Sequence, residues 1–357
     1  MKKKVAIITN MPTPYRQPVY NIVSRHFELD LIYSTRRESN RSWEVAAGSY
    51  KEIFLSENMK KVKGDDVNFR HNNPDVIPNL IRENPDVIVL CGFNLTSLYA
   101  FLYAKLYRKK IVVMTDGTIY TEQNISSIHK FVRRLVFISS HASIAASNSG
   151  VELFSKYSRS LNSVFRVPLS VENSIFRLGR VEYSSRKYDY CSVGLVDRKN
   201  PLFVIEMAKK MPSHYSGVII GSGELEPIVK KEIAMHNLNI ELVGPLDQKG
   251  IAEVLGNTRV FLFPTKLDAW GVVTNEALAS GCNVICSPYC GASDDLIREG
   301  ATGSILDLDP ALWTNRMISI IEGSSGQNLA IVDEILDNEY SHHVSAKKFI
   351  SAIHSLF

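Results

Sequence analysis

An α/β protein built from two successive parallel-sheet domains is the fold this sequence predicts, on three observations. Short apolar, β-branched runs alternate with helix-length stretches along most of the chain. The alternation starts afresh after Val167-Pro168, and the 357 residues, 45% of them hydrophobic, suffice for two cores. Runs that are apolar on both faces are what buried parallel strands require, and strands alternating with helices are the pattern of βαβ units.

The first array opens with residues 4–9, KVAIIT, and continues through apolar runs at 29–33, 86–90, 111–115 and 142–146. Stretches such as 97–107 are long enough for the connecting helices. The second array has its runs at 188–193, 217–220, 240–243, 260–263 and 284–286. A boundary between Arg166 and Asn173 divides the chain into an N-terminal Rossmann-like domain, residues 1–166, and a second one, residues 167–338. Residues 339–357 read as a C-terminal helix with the option of crossing back to the first domain. Open α/β sheets bind ligands beyond the C-terminal ends of their strands, so two such domains are expected to face a cleft lined by strand-end loops.

Several classes of protein are excluded early. The apolar run after Met1-Lys-Lys-Lys is interrupted by Asn10 and Pro12, too soon for a signal peptide, and no other run approaches the ~20 apolar residues of a membrane span. A cytosolic protein is expected. Five cysteines do not suggest a disulfide framework. Cys282, Cys286 and Cys290 repeat at intervals of four, but residues 283–286 read as a buried strand, whose period of two does not converge such thiols on a metal. None of the nine histidines forms a His-Glu-x-x-His pair, and His342-His343 read as a solvated pair at the start of a helix.

The net charge of +4 conceals an asymmetry. Residues 1–165 hold 23 Lys and Arg against 14 Asp and Glu, a balance of +9, and the remaining 18 against 23 give −5. The positive charge gathers in Lys60-Lys61-x-Lys63, Arg108-Lys109-Lys110 and Lys130-Phe-Val-Arg133-Arg134. Clusters of this kind attract anionic lipid headgroups or nucleic acid.

Candidate ligand-binding residues lie after the strands of the second array. Gly221-Ser-Gly223 begins like a dinucleotide fingerprint, but Glu226 stands where its third glycine belongs, and no Walker A sequence occurs. A Gly-x-Gly after a strand still lets backbone approach a ligand closely. Between Lys266 and Gly281 the chain reads KLDAWGVVTNEALASG, with Asp268 and Glu276 eight residues apart around Trp270-Gly271. Val272, Val273, Ala277 and Leu278 recur at helical spacing, so a helix is expected to open near Gly271 with Asp268 in the loop before it.

The order of these pieces carries a resemblance. Leu195-Val-Asp-Arg198-Lys199-Asn200, Gly221-Ser-Gly223, Val243-Gly244-Pro245, Phe263-Pro264-Thr265, the Asp268 to Glu276 stretch and Gly291-Ala-Ser-Asp-Asp-Leu-Ile297 follow one another after successive strands. This order, over roughly residues 167–306, resembles the nucleotide-sugar domain of the retaining GT-B glycosyltransferases of family 4, the glycosyltransferase 1 group. Met11-Pro-Thr-Pro14-Tyr15-Arg16 and the strand order before residue 167 look like that family's acceptor domain.

The resemblance implies a set of roles. A carboxylate-x7-carboxylate motif grips the donor in such enzymes; Glu276 would accept hydrogen bonds from ribose hydroxyls, and Asp268 with the backbone at Trp270, Gly271 and Val272 would lie against the sugar and diphosphate. Gly221, Gly223 and Val243 complete the donor side. Arg198 and Lys199 would stabilise charge on the leaving diphosphate, with no Asp-x-Asp beside them, so neither metal nor other cofactor is expected. Pro14, Tyr15, Arg16, Asp116 and Thr118 fall on the acceptor side. The implied partners are a nucleoside-diphosphate sugar and a glycan or lipid-linked acceptor, and the implied reaction is transfer with retention in cell-surface polysaccharide or glycolipid synthesis. The basic N-terminal half would then serve an anionic membrane surface, on the inner face, rather than nucleic acid. A sugar-nucleotide epimerase of the same fold and a non-catalytic nucleotide-sugar-binding protein are the alternatives.

Overall fold

A computed structural model describes residues 2–38, 45–61, 69–123, 125–157, 163–323 and 326–357. Lys63, the last cation of the first basic cluster, lies outside the described residues. In chain order the elements of the first part are β1 Lys4–Thr9, α1 Gln17–Val23, β2 Glu28–Tyr33, β3 Lys51–Phe54, β4 Met59–Lys61, β5 Phe69–His71, α2 Val76–Glu83 and β6 Val87–Cys91. They continue with α3 Leu95–Leu106, β7 Lys110–Thr115, α4 Ser127–Ser139, β8 Ala142–Ala145, α5 Asn148–Ser155 and β9 Val164–Arg166. The second part comprises α6 Asn173–Leu178, β10 Tyr188–Val193, α7 Pro201–Ala208, β11 Gly217–Ile220, α8 Glu226–Met235, β12 Ile240–Gly244, α9 Gln248–Gly256 and β13 Thr258–Phe263. Then come α10 Val272–Ala279, β14 Asn283–Cys286, α11 Ser293–Leu296, β15 Gly303–Ile305, α12 Pro310–Glu322, α13 Leu329–Glu339 and α14 His342–His354.

Two compact units result. One holds residues 1–170 together with 342–357, and the other residues 171–341. The first unit is built on a seven-stranded parallel sheet ordered β3-β2-β1-β6-β7-β8-β9, with β4 and β5 as a separate antiparallel pair. Its central strands are apolar on both faces because helices cover both. Val5, Ile7, Val87 and Val89 pack with Tyr20 of α1 and Phe349 of α14, whereas Ala6, Ile8, Ile88 and Leu90 pack with α2, α3, α4 and α5. The last helix therefore completes the first core: Phe349 is buried, and its ring meets that of Tyr20 edge-on at 6.2 Å.

The second unit has a six-stranded parallel sheet in the order β12-β11-β10-β13-β14-β15. Tyr190, Ile219, Val260, Leu262 and Ile285 form its core with Phe203 of α7 and Trp313 of α12. The strand order reverses between β10 and β13, and such a switch point is where open α/β sheets bind their ligands.

The short peripheral strands β3, β4, β5, β9 and β15, each of three or four residues, go beyond the strands that sequence pattern predicts. The helix expected at 97–107 starts at Leu95, because the Asn94 side chain accepts a hydrogen bond from Ser97 N at 2.9 Å and caps it. No helix among the described residues is long and apolar enough to cross a membrane.

Candidate active site

The loops after β10 and β13 meet at the switch point, and the sequence of each explains how. Gly194, at φ +83°, turns the chain out of β10; residues 197–199 make a single 3-10 turn; Asn200, at φ +58°, and Pro201 then start α7. The Arg198 carbonyl accepts hydrogen bonds from Lys266 N at 2.8 Å and Thr265 Oγ1 at 2.9 Å, which fastens this loop to the one after β13. In consequence Arg198 Nη1 and Lys199 Nζ reach the same oxygen, Asp268 Oδ2, at 3.0 and 2.7 Å. Asp268 Oδ1 accepts from Trp270 N at 3.2 Å. The Lys199 ammonium also stands 4.3 Å above the Phe263 ring.

Electrostatics separates the two carboxylates. Burial acts to raise Asp268, but Lys199, Arg198 and the Trp270 N–H together hold its carboxyl below the usual range. Burial lowers the Lys199 ammonium, with Asp268 opposing the fall and Arg198 adding to it. Glu276 is half-buried, and burial pushes its carboxyl up to about 7 against the opposing pull of Lys199. Its carboxylate has no hydrogen-bond partner among the described residues, an unfavourable state for a partly desolvated acidic group unless a ligand supplies donors.

Glu276 is presented by α10, whose start depends on Gly271. That residue has φ +86°, and a Cβ there would come within 2.7 Å of the Phe263 ring and 2.9 Å of Cys290 Sγ. The helix thus opens at Val272, immediately after the expected position, with its first N–H groups lacking intrahelical acceptors. Trp270 is buried, and its indole N–H donates to Asn275 Oδ1 at 2.8 Å. A ladder between the loops after β13 and β14 fixes the rest: Asp268 N to Tyr289 O at 3.0 Å, Gly291 N to Asp268 O at 2.9 Å and Ala292 N to Trp270 O at 2.9 Å.

The remaining donor-side positions flank this centre. Gly221 turns the chain at φ +106°, a conformation that favours glycine, and a Cβ on Gly223 would come within 2.2 Å of Leu195 O, so the close approach of the two loops requires Gly223. Val243 falls at an irregularity: Ile219 pairs with Leu242 and Ile220 with Gly244, which leaves Val243 outside the ladder at the end of β12.

Of the three cysteines of the four-residue repeat, Cys286 and Cys290 share a side-chain hydrogen bond, and Cys282 and Cys290 each meet a backbone carbonyl. Cys282 Sγ lies 3.1 Å from Leu255 O and Cys290 Sγ 3.1 Å from Trp270 O. An Asp-x-Asp pair exists at Asp307 and Asp309, away from Arg198 in sequence. Asp309 caps α12 by accepting from Ala311 N at 2.8 Å, and the Asp307 carbonyl accepts from the Trp313 indole at 2.8 Å.

In the first unit, Arg16 and Asp116 form an ion pair, and Arg16 Nη1 lies 3.8 Å from Met114 Sδ. Thr118 is buried and closes a turn with Thr121, its N–H donating to Thr121 Oγ1 at 2.8 Å. Pro14 is exposed and Tyr15 half-buried in the loop after β1. Sequence pattern misses a polar chain at these strand ends. His71 Nε2 lies 3.1 Å from Glu38 Oε1, Asn10 Nδ2 donates to the same oxygen at 3.4 Å, and Asn94 Nδ2 donates to Asn10 Oδ1 at 3.1 Å. The one legible signal was Asn94, three residues before Ser97 at a helix start.

These features define the fold. Two parallel α/β units, one carrying a cationic and acidic centre at its switch point, have the GT-B fold of glycosyltransferases, and solved structures agree over whole chains. The galactosyltransferase WaaB of the lipopolysaccharide outer core is 14% identical, with a TM-score of 0.74 over 99% of this chain and 100% of that one. HepE of Anabaena, solved in complex with UDP, is 10% identical, with a TM-score of 0.77 over 99% and 100%. The sucrose-phosphate synthase of Thermosynechococcus elongatus is 13% identical, with a TM-score of 0.76 over 100% and 99%. More particularly, residues 181–331 match the family model of the glycosyl transferases group 1. No curated protein matches the chain in sequence.

Proposed function

We propose that the protein is a retaining glycosyltransferase of family 4 that moves a sugar from a nucleoside-diphosphate sugar to a glycan or lipid-linked acceptor, in the cytoplasm, for cell-surface polysaccharide or glycolipid synthesis. The observation that carries this reading is the half-buried Glu276 carboxylate, without a hydrogen-bond partner among the described residues, one turn inside α10 and beside the Arg198–Lys199–Asp268 cluster. A ribose offers two adjacent hydroxyl donors to such a carboxylate, and a diphosphate offers negative charge to Arg198, Lys199 and the N-terminus of α10. HepE is solved with UDP and with UDP-glucose, which makes a uridine donor the first to test.

The chemistry assigned to the residues follows from their charges. The bond between the sugar C1 and the leaving phosphate oxygen breaks while the acceptor oxygen bonds to C1 from the same face. The leaving phosphate takes the acceptor proton. Arg198 and Lys199 stabilise the charge that grows on that phosphate, the task a divalent cation performs in other transferases, so no metal is invoked. Asp268 lies against the sugar and, between turnovers, holds both cations in place. Gly221, Gly223 and Val243 are the candidate residues on the nucleoside side. The acceptor falls to the first unit, with Pro14, Tyr15, Arg16, Asp116 and Thr118 as its candidate residues.

Calorimetric titration with UDP-glucose and a panel of other nucleotide sugars tests the donor site. At least one is expected to bind, and Glu276→Ala is expected to weaken it by roughly 1.5 to 3 kcal/mol for each charge-assisted hydrogen bond lost. A folded Glu276→Ala protein with unchanged affinity contradicts the assignment.

A further inference from the structure

The helices α3 and α4 cover the same face of the first sheet. Ala100, Phe101 and Ala104 of one and Val136 and Phe137 of the other share a core with Ile88 and Val113. Each helix also turns an apolar row outward. On α4, Ile128, Phe131, Leu135 and Ile138 recur at intervals of three, four and three, which is one stripe of a helix, and Ile128 and Phe131 are 75% and 67% exposed. On α3, Leu95, Leu102 and Leu106 recur at seven and four, and Leu102 and Leu106 are 61% and 77% exposed. Single exposed apolar side chains are ordinary; two outward rows in one helical layer mark an interaction surface.

Charge identifies what the surface meets. Residues 95–110 and 125–141 contain no Asp or Glu and seven Lys and Arg. Lys105 and Arg108 are exposed at the end of α3, and Lys130 and Arg134 flank the stripe of α4. Arg133 is turned the other way: it donates to Glu122 at 3.1 Å and lies 4.6 Å from the Phe93 ring centre. A second copy docked symmetrically would set these cations against themselves, which like charges oppose. Apolar rows bordered by cations instead match the boundary between anionic headgroups and acyl chains.

We propose that α3 and α4 together form a docking surface for an anionic lipid bilayer. The docking stands on these two helices alone. Its consequence for catalysis rests on the transferase reading: α4 follows the loop that leaves the C-terminal end of β7, and Arg133 ties it back to that loop through Glu122. A docked α4 therefore holds the Asp116 to Thr118 segment near the lipid surface, where a lipid-linked acceptor arrives by diffusion in two dimensions.

Cosedimentation of the full chain with vesicles of phosphatidylcholine, alone or mixed with phosphatidylglycerol, at low and high salt, tests the surface. The wild type is expected to sediment with the mixed vesicles and to be released by salt. The pairs Phe131→Asp with Leu135→Asp and Lys130→Glu with Arg134→Glu are each expected to lower partitioning roughly tenfold or more, with an unchanged circular-dichroism spectrum and melting curve of the full chain as proof of fold. Absent sedimentation, equal binding to neutral vesicles, or variants that bind as the wild type does would overturn the proposal. So would concentration-dependent self-association, in ultracentrifugation, that the same substitutions abolish without any vesicle binding. Vesicle binding by a chain that binds no nucleotide sugar supports the docking and removes only the transferase reading.

Discussion

Asp268 and Glu276 stand eight residues apart, and their surroundings pull them in opposite directions: cations hold Asp268 ionised, whereas burial pushes Glu276 up to about 7. The shift has a calculable sign. A carboxyl raised from 4.5 unfolded to about 7 folded means that the folded state binds the proton more tightly, so its contribution to stability falls as pH rises through that interval. Binding of ribose hydroxyls demands the ionised form and should therefore strengthen over the same rise. With a nucleotide sugar as ligand, whose diphosphate diester does not titrate there, affinity is expected to climb from pH 6 toward a plateau above about 7. Glu276→Gln should flatten that profile, bind more weakly and melt at a higher temperature than the wild type at alkaline pH. A variant with the wild-type pH profile would show that Glu276 does not meet the ligand. Lys199 carries a different expectation, since charge on the leaving phosphate develops only as the bond breaks. Lys199→Ala should lower kcat by a larger factor than it raises the donor KM, and steady-state kinetics in which only KM moved would reject the role.

At the scale of elements, the site depends on turns that only glycine can make cheaply. Gly271 starts α10 in a left-handed conformation with Phe263 and Cys290 against its missing side chain. Gly271→Ala is expected to cost about 1 to 3 kcal/mol in urea unfolding, and to displace Trp270 and Glu276 with it; an alanine variant as stable as the wild type would contradict the packing described. Much of this region was legible in sequence, because apolar strand runs and glycine-marked turns are local signals. The helix near Gly271 and the succession of strand-end loops belong to that kind. The convergence of Arg198 and Lys199 on one oxygen of Asp268, 69 residues or more along the chain, was not legible from local pattern, since it arises from the reversal of strand order between β10 and β13. Nor were β4 and β5, three residues each with Lys60 and Lys61 in one of them: their pairing is tertiary and their composition is that of a loop. The polar chain from His71 through Glu38 and Asn10 to Asn94 joins residues from four separate segments, and nothing in any one of them announces the others.

For the whole molecule, the division of charge follows the division into two units. The half of the sequence with a +9 balance builds most of the first unit, with the outward apolar rows of α3 and α4, whereas the −5 half contains the Asp268 and Glu276 site. The chain returns at its end to the first unit, where Phe349 and Ile353 of α14 join the core around Tyr20. The GT-B fold is compatible with transfer, epimerisation or binding alone, and the product decides among them. The most direct measurement is nuclear magnetic resonance of what the protein makes from a bound nucleotide sugar and acceptor glycans or lipids, read at the anomeric carbon and compared with Lys199→Ala. Free nucleoside diphosphate together with a new glycoside of the donor's own anomeric configuration, both lost in the variant, is the predicted result. An inverted linkage, an epimerised nucleotide sugar, or binding with no new glycosidic bond across the donor and acceptor panels would contradict it.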